Sequence, residues 1–106
     1  MDGKINVEQA FSLNVDQMRP KSTGYVRLNR NAIHDKPEIS YNYLEHHEDV
    51  KEMVEAVKIA RELVSQEAFD EFRGLELCPG NDVKTNSEIK NMLRHRLETA
   101  YHPSCT

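Results

Sequence analysis

The sequence predicts an α+β domain: a small antiparallel sheet of two to three strands packed with one long helix, a short helix and a C-terminal helix. Three observations carry that expectation. An apolar stripe with helical spacing runs through residues 48–66. A capping-box signature at Thr85 opens a second helical pattern. Before residue 45, short apolar or β-branched runs are separated by proline- and glycine-bearing turn chemistry. A chain of 106 residues is expected to form one domain, residues 1–106, with one modest core and no large enclosed pocket.

Taken in chain order, residues 1–8 are polar. Phe11, Leu13 and Val15 alternate with Ser12, Asn14 and Asp16, the period of a half-buried strand. Met18 to Gly24 supplies a turn, with Pro20 fixing φ and Gly24 admitting unusual dihedrals. Tyr25-Val26-Arg27-Leu28 predicts a second strand, so residues 10–29 are expected to form a hairpin or two neighbouring antiparallel strands. Residues 29–43 have loop character, with a short extended piece at Glu38-Ile39-Ser40.

The long helix is the strongest local signal. Val50, Met53, Val54, Val57, Ala60 and Val64 recur at three- and four-residue spacing, interrupted only by Arg61. Glu48 and Asp49 stand where the helix dipole favours negative charge. Glu67 to Phe72 predicts one further helical turn, ended by Arg73-Gly74, and Leu75 to Lys84 a loop carrying Cys78-Pro79-Gly80. Thr85 and Glu88 form the capping box, after which Ile89, Met92, Leu93, Leu97 and Ala100 keep helical spacing. Pro103 is expected to stop this helix, with His102 biased out of the α region. Two strands alone cannot bury both helical stripes and their own inner face, so the inventory predicts a sheet that is incomplete by itself.

Composition narrows the function classes. Formal charge is −4 and no long basic run is present, which disfavours binding driven by phosphate neutralisation, so no nucleic-acid partner is expected. No apolar run approaches the roughly 20 residues needed to cross a bilayer, and no membrane partner is expected. The opening MDGKINVEQAF lacks the basic and apolar regions of a signal peptide. Cys78 and Cys105 form no CxxC pair, and the expectation is a reduced, cytoplasmic protein.

Spacing alone singles out no catalytic constellation. His46 and His47 are adjacent and point apart on a helix, with no third ligand at useful spacing, so they are expected to be solvent-exposed cap residues. His95 and His102 lie seven apart, but Pro103 breaks the register and a metal site is not expected. No pair of carboxylates stands out as an acid–base dyad, and Cys78 is most simply a small semi-buried loop residue. The four glycines, at positions 3, 24, 74 and 80, do not form a phosphate-cradling loop.

A series of motifs adds to this reading. Arg19-Pro20-Lys21-Ser22-Thr23-Gly24-Tyr25-Val26-Arg27-Leu28 is followed by Pro37-x-Ile39, Asn42-Tyr43-Leu44 and Asp49 opening a helix. Ala60-Arg61-Glu62-Leu63, Phe72-Arg73-Gly74-x-Glu76 and Pro79-Gly80 continue in order, and Tyr101-His102-Pro103-Ser104-Cys105-Thr106 closes the series. In this order the motifs resemble those of the glucose–methanol–choline (GMC) flavin oxidoreductases, in a variant like that of choline dehydrogenases. The resemblance covers roughly residues 17–106.

The resemblance implies that the chain is part of the substrate-binding region of a longer enzyme that oxidises an alcohol and passes hydride to FAD. It assigns the one catalytic role in this stretch to His102, whose imidazole would sit beside the flavin and engage the substrate hydroxyl. The family's glycine-rich dinucleotide fold and its second catalytic residue have no counterpart in these 106 residues. The expectation is therefore a single partial domain with no FAD bound to it alone and no catalysis alone. Cofactor-binding residues are not assignable and no metal is expected. The implied partners are the missing flavin domain or further copies of the chain. An independent enzyme using His102 with Cys105 as nucleophile is disfavoured, because a tail holds such geometry poorly.

Overall fold

The computed structural model describes residues 9–28, 34 and 36–101. Strand β1 (Tyr25–Arg27) pairs antiparallel with β2 (Glu38–Ser40), placing Val26 opposite Ile39 and Arg27 opposite Glu38. Helix α1 (His47–Val64) follows, then a 3-10 turn at Glu67–Phe69, then α2 (Asn86–Arg96). The α+β class holds, with two strands in the sheet.

The core lies between the two helices. Met53, Val54 and Val57 on one face of α1 meet Ile89 and Leu93 on α2, one helical turn apart. Val15, Leu44, Val83, Met92 and Leu97 flank them. These α1 positions are those of the apolar stripe, so the helical period of the sequence is realised as the packed face. The capping box is also realised: the Thr85 hydroxyl accepts from the Glu88 amide, and the Glu88 carboxylate accepts from the Thr85 amide at 2.7 Å. The Thr85 and Lys84 amides, which both donate to that carboxylate, hold the Glu88 carboxyl below the usual carboxylate range.

Arg61, the interruption in the α1 stripe, has a structural purpose. Its Nε and Nη2 donate to one Glu76 oxygen at 3.1 and 3.0 Å, and Nη1 donates to the Val83 carbonyl at 2.6 Å. Nη2 also reaches the Gly80 carbonyl at 3.4 Å. One guanidinium thereby holds the loop between the helices against α1, using the fork of donors that arginine alone supplies.

Three expectations are corrected. Residues 11–17 form no strand, and the partner of β1 is β2 rather than an upstream segment. Alternation fixes an extended segment with two unlike sides but does not provide a neighbouring ladder. Here the apolar side chains go elsewhere: Val15 to the helical core and Phe11 to Phe69, ring centroids 6.1 Å apart. Helix α2 ends at Arg96 instead of continuing to His102, with Leu97 extended at ψ 132°. Beyond it the Thr99 hydroxyl accepts from the Tyr101 amide, a local bond that competes with helix continuation. Cys78, expected to be semi-buried, is exposed.

The sheet is lightly covered. Val26, Leu28 and Ile39 are 68%, 79% and 53% exposed. On the strands' polar side the Tyr25 hydroxyl donates to Glu38 at 2.6 Å, and the Arg27 guanidinium lies 4.0 Å over the Tyr25 ring. The Glu38 carboxylate accepting that bond holds the Tyr25 phenol above its ordinary pKa.

Candidate functional site

The residue assigned a catalytic role, His102, lies outside the described residues, as does Cys105. The described approach to it is α2, then the extended Leu97 against the core, then exposed Tyr101 in the left-handed region at φ 64°. A left-handed residue changes the direction of the chain immediately before position 102.

The motif residues upstream come together around Asp49. Its carboxylate is 1% exposed and faces no cation in hydrogen-bond contact; four N–H and O–H donors fill its acceptor sites. Oδ1 accepts from the Lys21 amide at 2.8 Å and from Gln17 Nε2 at 3.0 Å. Oδ2 accepts from the Ser22 amide at 2.7 Å and the Ser22 hydroxyl at 2.5 Å. Burial pushes the Asp49 carboxyl pKa up, but the bonds from Lys21, Ser22 and Gln17 outweigh it and hold it at about 2. The Ser22 hydroxyl also accepts from the His46 amide at 2.9 Å, and His46 Nδ1 accepts from the Glu48 amide at 3.3 Å. This is a capping arrangement split across the chain, with the serine supplied from 27 residues upstream. Lys21 Nζ and Glu48 form an ion pair beside it.

Gly24 completes the junction. A Cβ there would stand 2.3 Å from the Ser40 carbonyl oxygen and 3.0 Å from Tyr41 Cα, so only glycine lets β1 approach the turn after β2. Asn42 binds back across the same junction, its Nδ2 donating to the Thr23 carbonyl at 2.9 Å. Asn42-Tyr43-Leu44 thus contributes a turn residue, a Tyr43 ring stacked on Tyr41 with centroids 5.1 Å apart, and a core side chain. By spacing alone Asp49 has a helix-dipole role and Ser22 is one residue of the Met18–Gly24 turn; their contact joins positions 27 apart.

The described residues offer a flavin diphosphate no open glycine-rich loop. A helix N-terminus is the natural cradle for a diphosphate. At the start of α1 the Glu48 amide is already bonded by His46 Nδ1, and at the start of α2 the Glu88 amide by the Thr85 hydroxyl. Gly24 is closed by the chain's own backbone. A groove along α2, lined by Ser87, Glu88, Lys90, Asn91 and Arg94, is open to solvent. Among the described residues, no group of three or more His, Cys, Asp or Glu could hold a metal ion, and no helix is long and apolar enough to cross a membrane. His46 and His47 stack at 4.8 Å; His46 is the half-buried cap and His47 is exposed. His95 Nδ1 lies 2.8 Å from the Asn91 carbonyl of its own helix.

The chain is 40% identical over 96 residues to an oxygen-dependent choline dehydrogenase of Cronobacter sakazakii, covering 91% of this chain and 17% of that protein. Proteins of the same description match at 39% over 103 residues in Chromohalobacter salexigens and at 41% over 103 residues in Staphylococcus aureus. Those two matches cover 96% and 97% of this chain, and 18% of each relative. The chain therefore spans less than a fifth of the length of the curated relatives it matches. The family model described as GMC oxidoreductase matches residues 20–106, a span that takes in the Asp49 junction, both helices and the closing histidine motif; the chain belongs to the GMC oxidoreductase family.

Proposed function

We propose that these 106 residues are part of the substrate-binding region of an FAD-dependent alcohol dehydrogenase acting on choline or a similar alcohol, and that by themselves they are not catalytic. The observation that carries the reading is the identity of about 40% to choline dehydrogenases along more than nine-tenths of the chain. In the complete enzyme FAD would supply the hydride acceptor. His102 is the residue of this chain that would face the substrate hydroxyl and accept or share its proton, acid–base work to which imidazole is suited. The inactivity of the isolated chain is supported by the caps of α1 and α2, in which His46 and Thr85 already engage the Glu48 and Glu88 amides that a cofactor's diphosphate would use.

The test uses the purified 106-residue chain. It is expected to be colourless, to take up no flavin from added FAD after desalting, and to reduce no dye in the presence of choline. Retained flavin absorbance or choline-dependent dye reduction would overturn the reading of inactivity. Sequencing the DNA on either side is expected to find coding regions for a flavin domain and for the remaining catalytic stretch.

A second reading is a free-standing, self-associating module. The exposed Val26, Leu28 and Ile39 on the ribbon favour it. Sedimentation distinguishes the two: a monomer at all concentrations would count against the module.

A further inference from the structure

The two strands contact each other and the two long helices contact each other, with no comparable contact between strand and helix among the described residues. The chain on either side of the ribbon is anchored on the helical core, by Val15 before it and Leu44 after it. Between these anchors, residues 17–28 and 36–42 project as an arm. The bonds holding the arm to α1 fall on its first two turns and centre on Asp49: Gln17, Lys21 and Ser22 donate to Asp49, Gln17 also donates to Glu52 at 2.5 Å, Lys21 Nζ pairs with Glu48, and Ser22 accepts from the His46 amide.

The base of the arm is backbone held in an uncommon region. Asn42 has φ 53° and Leu44 has φ 58°. Asparagine tolerates left-handed backbone, but leucine does not do so readily and persists there only while its surroundings hold it. Leu44 is held by its contact with the core. Arm and helices thus have separate packing, a strained base and a polar attachment centred on Asp49.

We propose that the β1–β2 ribbon is a latched arm, a unit that swings about residues 42–44 when the contact between Asp49 and Ser22 opens, while the α1–α2 pair stays folded. The inference is independent of the catalytic reading, since it concerns only how this chain holds itself. Local opening of this kind draws on the elements with the fewest buried apolar contacts, and the ribbon's apolar side chains are mostly exposed.

Asp49→Asn is the direct test, in the full 106-residue chain labelled with nitrogen-15. An asparagine side chain keeps one acceptor oxygen, so one of the Lys21 and Ser22 amides meets a donor where a carboxylate oxygen accepted from it, and the junction is weakened. Exchange of those two amides is expected to accelerate by at least about tenfold. Heteronuclear NOE values of residues 23–28 and 36–41 are expected to fall together, while the amides of residues 53–57 and 89–93 keep their protection. An arm as rigid as in the parent chain would overturn the proposal. So would loss of protection in α1 and α2 along with the arm in Ser22→Ala. That variant keeps the charge and both backbone amides, and it decides the matter if Asp49→Asn does not fold.

Discussion

Acidification should open the Asp49 junction within a defined pH window. The Asp49 carboxyl is held at about 2 in the folded chain against an ordinary 3.8. Lowering the carboxyl from 3.8 to about 2 means that the ionised form gains about 2 kcal/mol from the fold. A carboxyl whose pKa is lowered by folding stabilises the native state fully above its unfolded value. That contribution is therefore complete above about pH 4, declines as pH falls between 3.8 and about 2, and is absent below that. The assay is the side-chain carboxyl carbon shift of Asp49 followed against pH, alongside exchange of the Lys21 and Ser22 amides corrected for intrinsic rates. A midpoint near 2 is expected, with amide protection falling over the same window. A midpoint at or above 3.8 would refute the reasoning, because it would mean that burial outweighs the four donors.

Two further substitutions probe the helical core and the ribbon separately. Ile89 is 0% exposed between the helices, so Ile89→Ala should cost about 2–5 kcal/mol in urea unfolding followed by circular dichroism; a loss below about 1 kcal/mol would show that the core is not where it is placed. Gly24→Ala sets a Cβ 2.3 Å from the Ser40 carbonyl oxygen, which is backbone and cannot rotate away. Its shifts should be confined to β1, β2 and the Asn42 turn, at a cost of about 1–3 kcal/mol, and unchanged Tyr25 and Ile39 amide resonances would contradict the close approach.

The helices were legible because their signals are local. Val50, Met53, Val54 and Val57 declare the packed face of α1 within two turns, and Thr85 with Glu88 declares the start of α2 within three residues. Arg61 was visible as a break in the stripe, but its meaning required Glu76 and Val83, 15 and 22 residues away. Asp49 shows the same limit more sharply. At a helix start a carboxylate satisfies a simple dipole argument, and nothing nearby indicates that Lys21 and Ser22 will close over it. The alternation of Phe11, Leu13 and Val15 was misleading for a related reason: the extended shape is a local property, while the choice of a partner is not. The expected site was legible only through ordered motifs resembling a family, and the residue proposed to carry it, His102, lies outside the described residues.

The ion pair of Lys21 with Glu48 and the buried Asp49 carboxylate hold the same junction by different electrostatics, and dissolved salt separates them. The first is formed by two side chains that are 52% and 40% exposed, where mobile ions have ready access and attraction weakens within a Debye length. The second is balanced by fixed amide and hydroxyl dipoles less than about 3 Å away, where no counterion can enter. Raising ionic strength should therefore dim the surface pair and leave the buried one largely untouched. The attachment of this ribbon is built to hold in concentrated solution as well as in dilute.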